Sequence, residues 1–255
     1  MTEGPADTGF TAALRRLPSA QKSARGAPAY SRFVNRPAGK YLAATAYRLG
    51  MTPNQVTAVS ALFTFSGIAI IALVRPSPLL GIVVGAALAL GYALDSADGQ
   101  LARLTGGGST SGEWLDHIVD SAKIASLHLA VLISYYRFSD LDRAYLLVPV
   151  GFQVVAVITF FGLILGDQLR RQHRVDRSLP AGTRASTLRS LAVLPIDYGL
   201  LCLVFLLLGV QPLFSICYAV LFAANIGYLA LALVKWFREM AALDSAPEKT
   251  ATENS

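Results

Sequence analysis

Six apolar segments, at residues 54–74, 78–103, 112–137, 144–166, 188–209 and 212–236, dominate the chain. Each approaches the roughly 20 residues that an α-helix needs to cross a bilayer. Lipid offers no partner for backbone N–H and C=O groups, so a chain of such segments folds as helices that satisfy their own hydrogen bonds. Composition agrees, with 54% hydrophobic and only 15% charged residues, the balance of an integral membrane protein. The expected fold class is therefore an all-α integral membrane protein with six transmembrane helices. The first long apolar run begins only near Asn54, too late for a cleaved secretory signal.

An even number of spans puts both termini on one side, and the basic residues say which. Eight Lys and Arg fall in residues 1–50, one (Arg103) at the next turn on that side, six in 167–190 and three after 234. Against them stand Arg75, Arg137 and Arg143 on the other side. By the positive-inside rule both termini face the cytoplasm, in an inner or plasma membrane. The net charge of +6 is thereby explained as topology, with no call for a nucleic-acid partner. Residues 1–27 and 239–255 lack periodicity and read as disordered tails, leaving 28–238 as the membrane domain. Before the first span, Leu42, Thr45, Ala46 and Leu49 share a helical face opposite Arg36, Lys40 and Tyr47, which predicts a short interfacial helix. Gly81 and Gly85 predict close helix packing within the subunit. Cys202 and Cys217 read as small apolar side chains inside spans.

One stretch defies the apolar pattern. Asp95 and Asp98 lie on one helical face with Gly91 and Ala102, and Asp116 and Asp120 lie on one face with Gly112. The linker "LTGGGSTS" between them lets two antiparallel helices aim two carboxylates each into one space. Even one Asp at mid-span costs about 2.5–3.5 kcal/mol on insertion scales, so such a cluster calls for cations. Hard divalent ions take oxygen ligands, and Mg²⁺ typically completes its shell with water and phosphate oxygens. A phosphate or diphosphate substrate is the expectation, with Arg103 as a cation suited to it and Gly99 and Gly112 permitting close approach.

Asp95-x2-Asp98-Gly99-x2-Ala102-Arg103-x8-Gly112-x3-Asp116-x3-Asp120 matches, at all eight defined positions, the signature of the CDP-alcohol phosphotransferase (CDP-alcohol phosphatidyltransferase) family. The resemblance covers about residues 30–238 and includes "MTPNQVT" at the start of the first span. It implies an enzyme of phospholipid biosynthesis that transfers a phosphoalcohol group from a CDP-alcohol, usually CDP-diacylglycerol, to an alcohol or phosphopolyol acceptor with release of CMP. It implies that Asp95, Asp98, Asp116 and Asp120 bind two divalent ions, Mg²⁺ or Mn²⁺, and that Asp120 is also the base for the acceptor hydroxyl. Gly99, Ala102, Arg103 and Gly112 are similar to the family's nucleotide-binding positions, and a homodimer follows from the resemblance alone. Thr52, Pro53 and Asn54 either shape that pocket or simply start the helix.

Other residues bear on the acceptor. Arg170, Arg171, Arg174, Arg177, Arg184 and Arg189 could hold an acceptor phosphate, although cytoplasmic topology also explains them. Asp197, inside the fifth segment, is either functional or paired with an arginine. His117 points away from Asp116 and reads as a supporting side chain, and Lys123 is placed to balance carboxylate charge. Tyr135, Tyr136 and Trp236 read as interface anchors. "GEWLDHIVDSAK" differs from familiar phosphatidyl-transferring forms, and its Asp116-His117 pair resembles amino-alcohol phosphotransferases, which keeps the donor open. Two alternatives remain at this stage: a membrane prenyltransferase binding an Mg²⁺-bound prenyl diphosphate, and an ion transporter with buried carboxylates.

Overall fold

The computed structural model describes residues 9–17, 28–173 and 196–244. Its elements are α1 (Phe10–Arg16), a π-helical turn (Ser31–Asn35) running into α2 (Arg36–Arg48), α3 (Pro53–Leu73), α4 (Pro78–Leu104) and α5 (Thr110–Phe138). A 3₁₀ turn (Arg143–Leu146) then leads into α6 (Leu147–Gln172), followed by α7 (Tyr198–Phe205) and α8 (Gln211–Asp244). No strand occurs among the described residues.

Five of these stretches, Pro53–Leu73, Pro78–Leu104, Thr110–Phe138, Arg143–Gln172 and Gln211–Asp244, are long and apolar enough to cross a membrane. The predicted fifth segment is described only from residue 196, where α7 gives way to turns after eight residues. Its first part, 188–195, lies outside the described residues, as do Arg174, Arg177, Arg184 and Arg189. The spanning helices keep large apolar side chains such as Leu62, Ile82, Phe161, Ile216 and Leu231 on the outside, which is the surface a hydrocarbon solvent favours.

Local chemistry sets the helix starts. Thr52 accepts from the Gln55 N–H while the Gln55 side chain accepts from the Thr52 N–H, a reciprocal cap ahead of Pro53. Ser77 and Ser109 cap α4 and α5 in the same sense, through the N–H groups of Leu80 and Gly112. Between α4 and α5 the chain reverses on Gly106 (φ 110°) and Gly107 (φ 109°), conformations that side-chain-bearing residues avoid.

The helices pack in neighbouring pairs, α3 on α4 and α5, α5 on α6, α6 on α8, and α7 on α4. A core of Ile71, Val84, Leu88, Val131, Phe205, Phe214 and Tyr218 fills their centre. Gly81 and Gly85 do make a close intrasubunit crossing: an added Cβ would lie 2.7 Å from the Leu206 carbonyl oxygen at Gly81 and 2.5 Å from Leu206 Cδ2 at Gly85.

Several expectations are corrected. Within the stretch read as a disordered tail, Phe10–Arg16 form a helix whose Ala13, with Leu17 just beyond it, is fully buried against α2. At the other end α8 continues to Asp244. Helix α2 exists as predicted, but its buried residues are Gly39, Ala43, Ala44 and Ala46, continuing from Asn35 just before it, with Thr45 and Leu49 exposed. Small residues win that face because α4 is close: a Cβ on Gly39 would sit 2.9 Å from both Gln100 and Ser96. Tyr135 is no interface anchor; it is 3% exposed, packed among Tyr145, Phe214 and Tyr218 and hydrogen-bonded to Ser215. Trp236 lays its ring over Gly162 of α6. Tyr136, by contrast, is exposed near the end of α5.

Candidate active site

The last three turns of α4 and the first three of α5 carry the site. Asp95 reaches across from α4 to Asp116 and Asp120 of α5, and one carboxylate oxygen from each lies within 4.8 Å of the others. Such a triad of hard oxygen donors fits a divalent cation. Asp98, expected in the same group, lies outside that trio. Its Oδ2 accepts a hydrogen bond of 2.6 Å from Thr57 of α3, and the pair is buried. Asp98 nevertheless lines the same cavity as Asp95 and Asp116.

That cavity, of about 200 Å³, is walled by Arg36, Asp95, Ser96, Asp98, Gly99, Gln100, Arg103 and Asp116. Two guanidiniums, Arg36 from α2 and Arg103 from α4, therefore share a space with three carboxylates. An anion and its counter-cations could both be accommodated there. Partial burial lowers the pKa of Arg36 from its ordinary value, as expected for a cation drawn out of water. Gly99 earns its place by space: a Cβ there would come 3.3 Å from Arg103 Nη1.

Of the other expected nucleotide positions, Ala102 is half-buried on α4 and Gly112 sits in the first turn of α5 beside the Asn54 side chain. Thr52 and Pro53 are accounted for by the start of α3, whereas Asn54 borders the site through Gly112. The Lys123 ammonium is 2.6 Å from Asp95 Oδ1 and 2.6 Å from Asp120 Oδ1. His117 lies 3.8 Å from Glu113 and 3.9 Å from Asp116, alongside the cluster.

Arg170 and Arg171, the described members of the basic 167–190 stretch, lie in the last turn of α6 and are tied down. Arg170 bonds Asp167 at 2.7 Å and Glu239 of α8 at 3.0 Å, and Arg171 bonds Glu113 of α5 at 2.5 Å. Asp197 pairs with backbone: its carboxylate accepts from the N–H groups of Gly199, capping α7, and of Ser31, fastening the segment before α2 to that cap.

Sequence reasoning missed Thr57, Arg36, Ser96 and Gln100. Thr57 had a legible signal, because Thr57, Ser60 and Thr64 form a hydroxyl stripe at helical spacing on an otherwise apolar span, and all three are buried. Arg36 was read on the solvent face of α2, and its position became visible only once α2 was packed on α4.

The fold has a counterpart among solved structures. A crystal structure of Mycobacterium tuberculosis phosphatidylinositol phosphate synthase (PgsA1) with CDP-DAG bound matches with a TM-score of 0.53 at 16% sequence identity, covering 87% of this chain and 98% of that one. No curated protein matches the chain. Residues 50–237, which include the whole aspartate signature and every cavity-lining residue except Arg36, match the CDP-alcohol phosphatidyltransferase family, so the prenyltransferase and transporter alternatives fall away. The chain belongs to the CDP-alcohol phosphatidyltransferase family and is a transferase of phosphate-containing groups.

Proposed function

We propose that the protein transfers a phosphoalcohol group, most simply phosphatidyl, from a CDP-alcohol such as CDP-diacylglycerol to the hydroxyl of an alcohol or phosphopolyol acceptor, releasing CMP. The observation that carries this reading is the convergence of Asp95, Asp116 and Asp120 beside a cavity that also holds Asp98, Arg36 and Arg103. Asp95, Asp98, Asp116 and Asp120 would hold two divalent ions, Mg²⁺ or Mn²⁺. When bound there, such ions supply positive charge to the phosphoryl oxygens and to the departing CMP.

The chain's own groups do the rest. Arg103, with room made by Gly99, binds the diphosphate, and Ala102 and Gly112 leave space for the nucleotide. Asp120 accepts the proton of the acceptor hydroxyl as its oxygen attacks the phosphorus that bears the donor alcohol. The new O–P bond forms as the P–O bond to CMP breaks, so CMP leaves with the bridging oxygen and its electron pair. Thr57 keeps Asp98 in place. The 28–238 membrane domain would work with six spans, both termini and the site at the cytoplasmic face of an inner or plasma membrane, and as a homodimer. Soluble acceptors then reach the site directly, while a lipid donor enters sideways between helices.

The test is CMP release by the purified protein, with CDP-diacylglycerol or CDP-amino-alcohols as donors and a panel of polyol, phosphopolyol and lipid acceptors. Release that requires Mg²⁺ or Mn²⁺ and one acceptor, is lost on chelation and falls at least a thousandfold in Asp120→Asn is expected. No release with any pair, together with no thermal stabilisation by CDP, would overturn it.

A further inference from the structure

Lys123 is a buried cation whose place in the site the transfer reaction does not explain. Its side chain is 7% exposed, and its Nζ lies 2.6 Å from Oδ1 of both Asp95 and Asp120. The two carboxylates come from different helices, α4 and α5, so the ammonium bridges them across the interface. A buried charge is tolerated when it is paired, and here the pairing runs in both directions: the lysine neutralises carboxylates that would otherwise repel one another. Asp98 is held differently, by the Thr57 hydroxyl.

Asp95 and Asp120 also belong to the triad whose oxygens lie within 4.8 Å. A divalent ion sits about 2.0–2.6 Å from its carboxylate oxygens, close to the distance at which the ammonium already stands. Two cations cannot share the same oxygen pair without mutual repulsion. Lysine has the means to yield, since its ammonium is a point charge on a flexible four-carbon stem.

Resting on the metal-binding role proposed for these aspartates, we infer that Lys123 is a tethered counter-cation that competes with the divalent ion for Asp95 and Asp120. It holds the carboxylates together before metal arrives, and metal binding at this pair is an exchange in which the ammonium moves off. Lys123 is thus a positioning residue that sets how much divalent ion the enzyme needs.

The test uses the full-length protein in detergent and Mn²⁺ alone, with free Mn²⁺ read from its electron paramagnetic resonance signal. Lys123→Met is expected to bind Mn²⁺ about tenfold more tightly than wild type, a typical size for coupling between competing sites. Lys123→Arg, which keeps a cation, stays near wild type. Without metal, Lys123→Met melts at a lower temperature, and Mn²⁺ raises its melting point by more than it raises that of wild type. A purely structural lysine would lower stability without tightening Mn²⁺ binding. If Lys123→Met cannot be recovered folded, Lys123→Gln carries the same comparison. Equal or weaker Mn²⁺ affinity in the lysine variants, with affinity still lost in Asp120→Asn, overturns the counter-cation and leaves the metal site standing. Absence of Mn²⁺ binding in wild type and variants alike overturns both.

Discussion

The hydroxyl of Thr57 in α3 stands 2.6 Å from Oδ2 of Asp98 in α4, with both side chains buried. A helix that contributes nothing to the aspartate signature thus orients one of its members. Hydrogen bonds to charged groups contribute about 1.5–3 kcal/mol. Thr57→Val keeps the shape and removes the donor, so it should lower the melting temperature and reduce CMP release about tenfold or more through a misplaced carboxylate. Thr57→Ser should retain most of both. Melting curves and initial rates for the two variants side by side make the check.

The crossing of α4 with the segment after α7 yields a second, differential prediction. At Gly81 an added Cβ would meet the Leu206 carbonyl oxygen at 2.7 Å, a backbone atom that cannot step aside. At Gly85 it would meet Leu206 Cδ2 at 2.5 Å, the end of a side chain that can rotate. Gly81→Ala should therefore destabilise by about 1–3 kcal/mol, the usual range for overpacking, and Gly85→Ala by less. Thermal unfolding in detergent separates them, and the reverse order would contradict the packing described.

Arg170 and Arg171 are neighbours with different prospects. Arg170 is 7% exposed and clamps α6 to α8 through Asp167 and Glu239. Arg171 is exposed and pairs with Glu113 at 2.5 Å. Arg170 is buried although its partners reach solvent, so its two pairs are less screened than a fully exposed pair, which is worth about 0–1 kcal/mol. Arg170→Gln should lower the melting temperature clearly and Arg171→Gln hardly at all. A rise in acceptor KM confined to Arg171→Gln would assign that arginine to acceptor binding.

What could be read from sequence follows the physics of each signal. The aspartate spacing was legible because a helix converts covalent spacing into direction, and Asp95, Asp116 and Asp120 do converge. Five long spans were legible because lipid enforces both length and hydropathy. Helix α1 was hidden by basic and small residues around Phe10, Ala13 and Leu17. The inner face of α2 was misread because glycine and alanine weigh little in hydropathy, although they are what close packing on α4 selects. Tyr135 sits where an interface aromatic would in sequence, yet its hydroxyl finds Ser215 inside the bundle. Lys123 beside Asp120 was legible as an i,i+3 pair on one helix, but the pairing of Asp98 with Thr57 and of Lys123 with Asp95 depends on which helices become neighbours, which no single helix encodes.

Arg36 offers the last prediction. It lines the cavity opposite the signature from a helix outside the spans, while Arg103 lines it from within the signature. If the cavity receives the diphosphate of a CDP-alcohol, both guanidiniums contribute charge-assisted hydrogen bonds, each worth about 1.5–3 kcal/mol. Arg36→Met and Arg103→Met should each weaken CDP binding by roughly tenfold or more. Arg36 also anchors α2, since its carbonyl oxygen accepts from Gln100 Nε2 at 3.2 Å, but that backbone contact survives a side-chain substitution. Calorimetric titration with CDP, in the presence of Mg²⁺, distinguishes the outcomes. Loss of affinity in both variants places the diphosphate between α2 and α4. Loss in Arg103→Met alone would move it towards α5 and leave Arg36 for the acceptor, a role that a raised KM for a phosphorylated acceptor would then reveal.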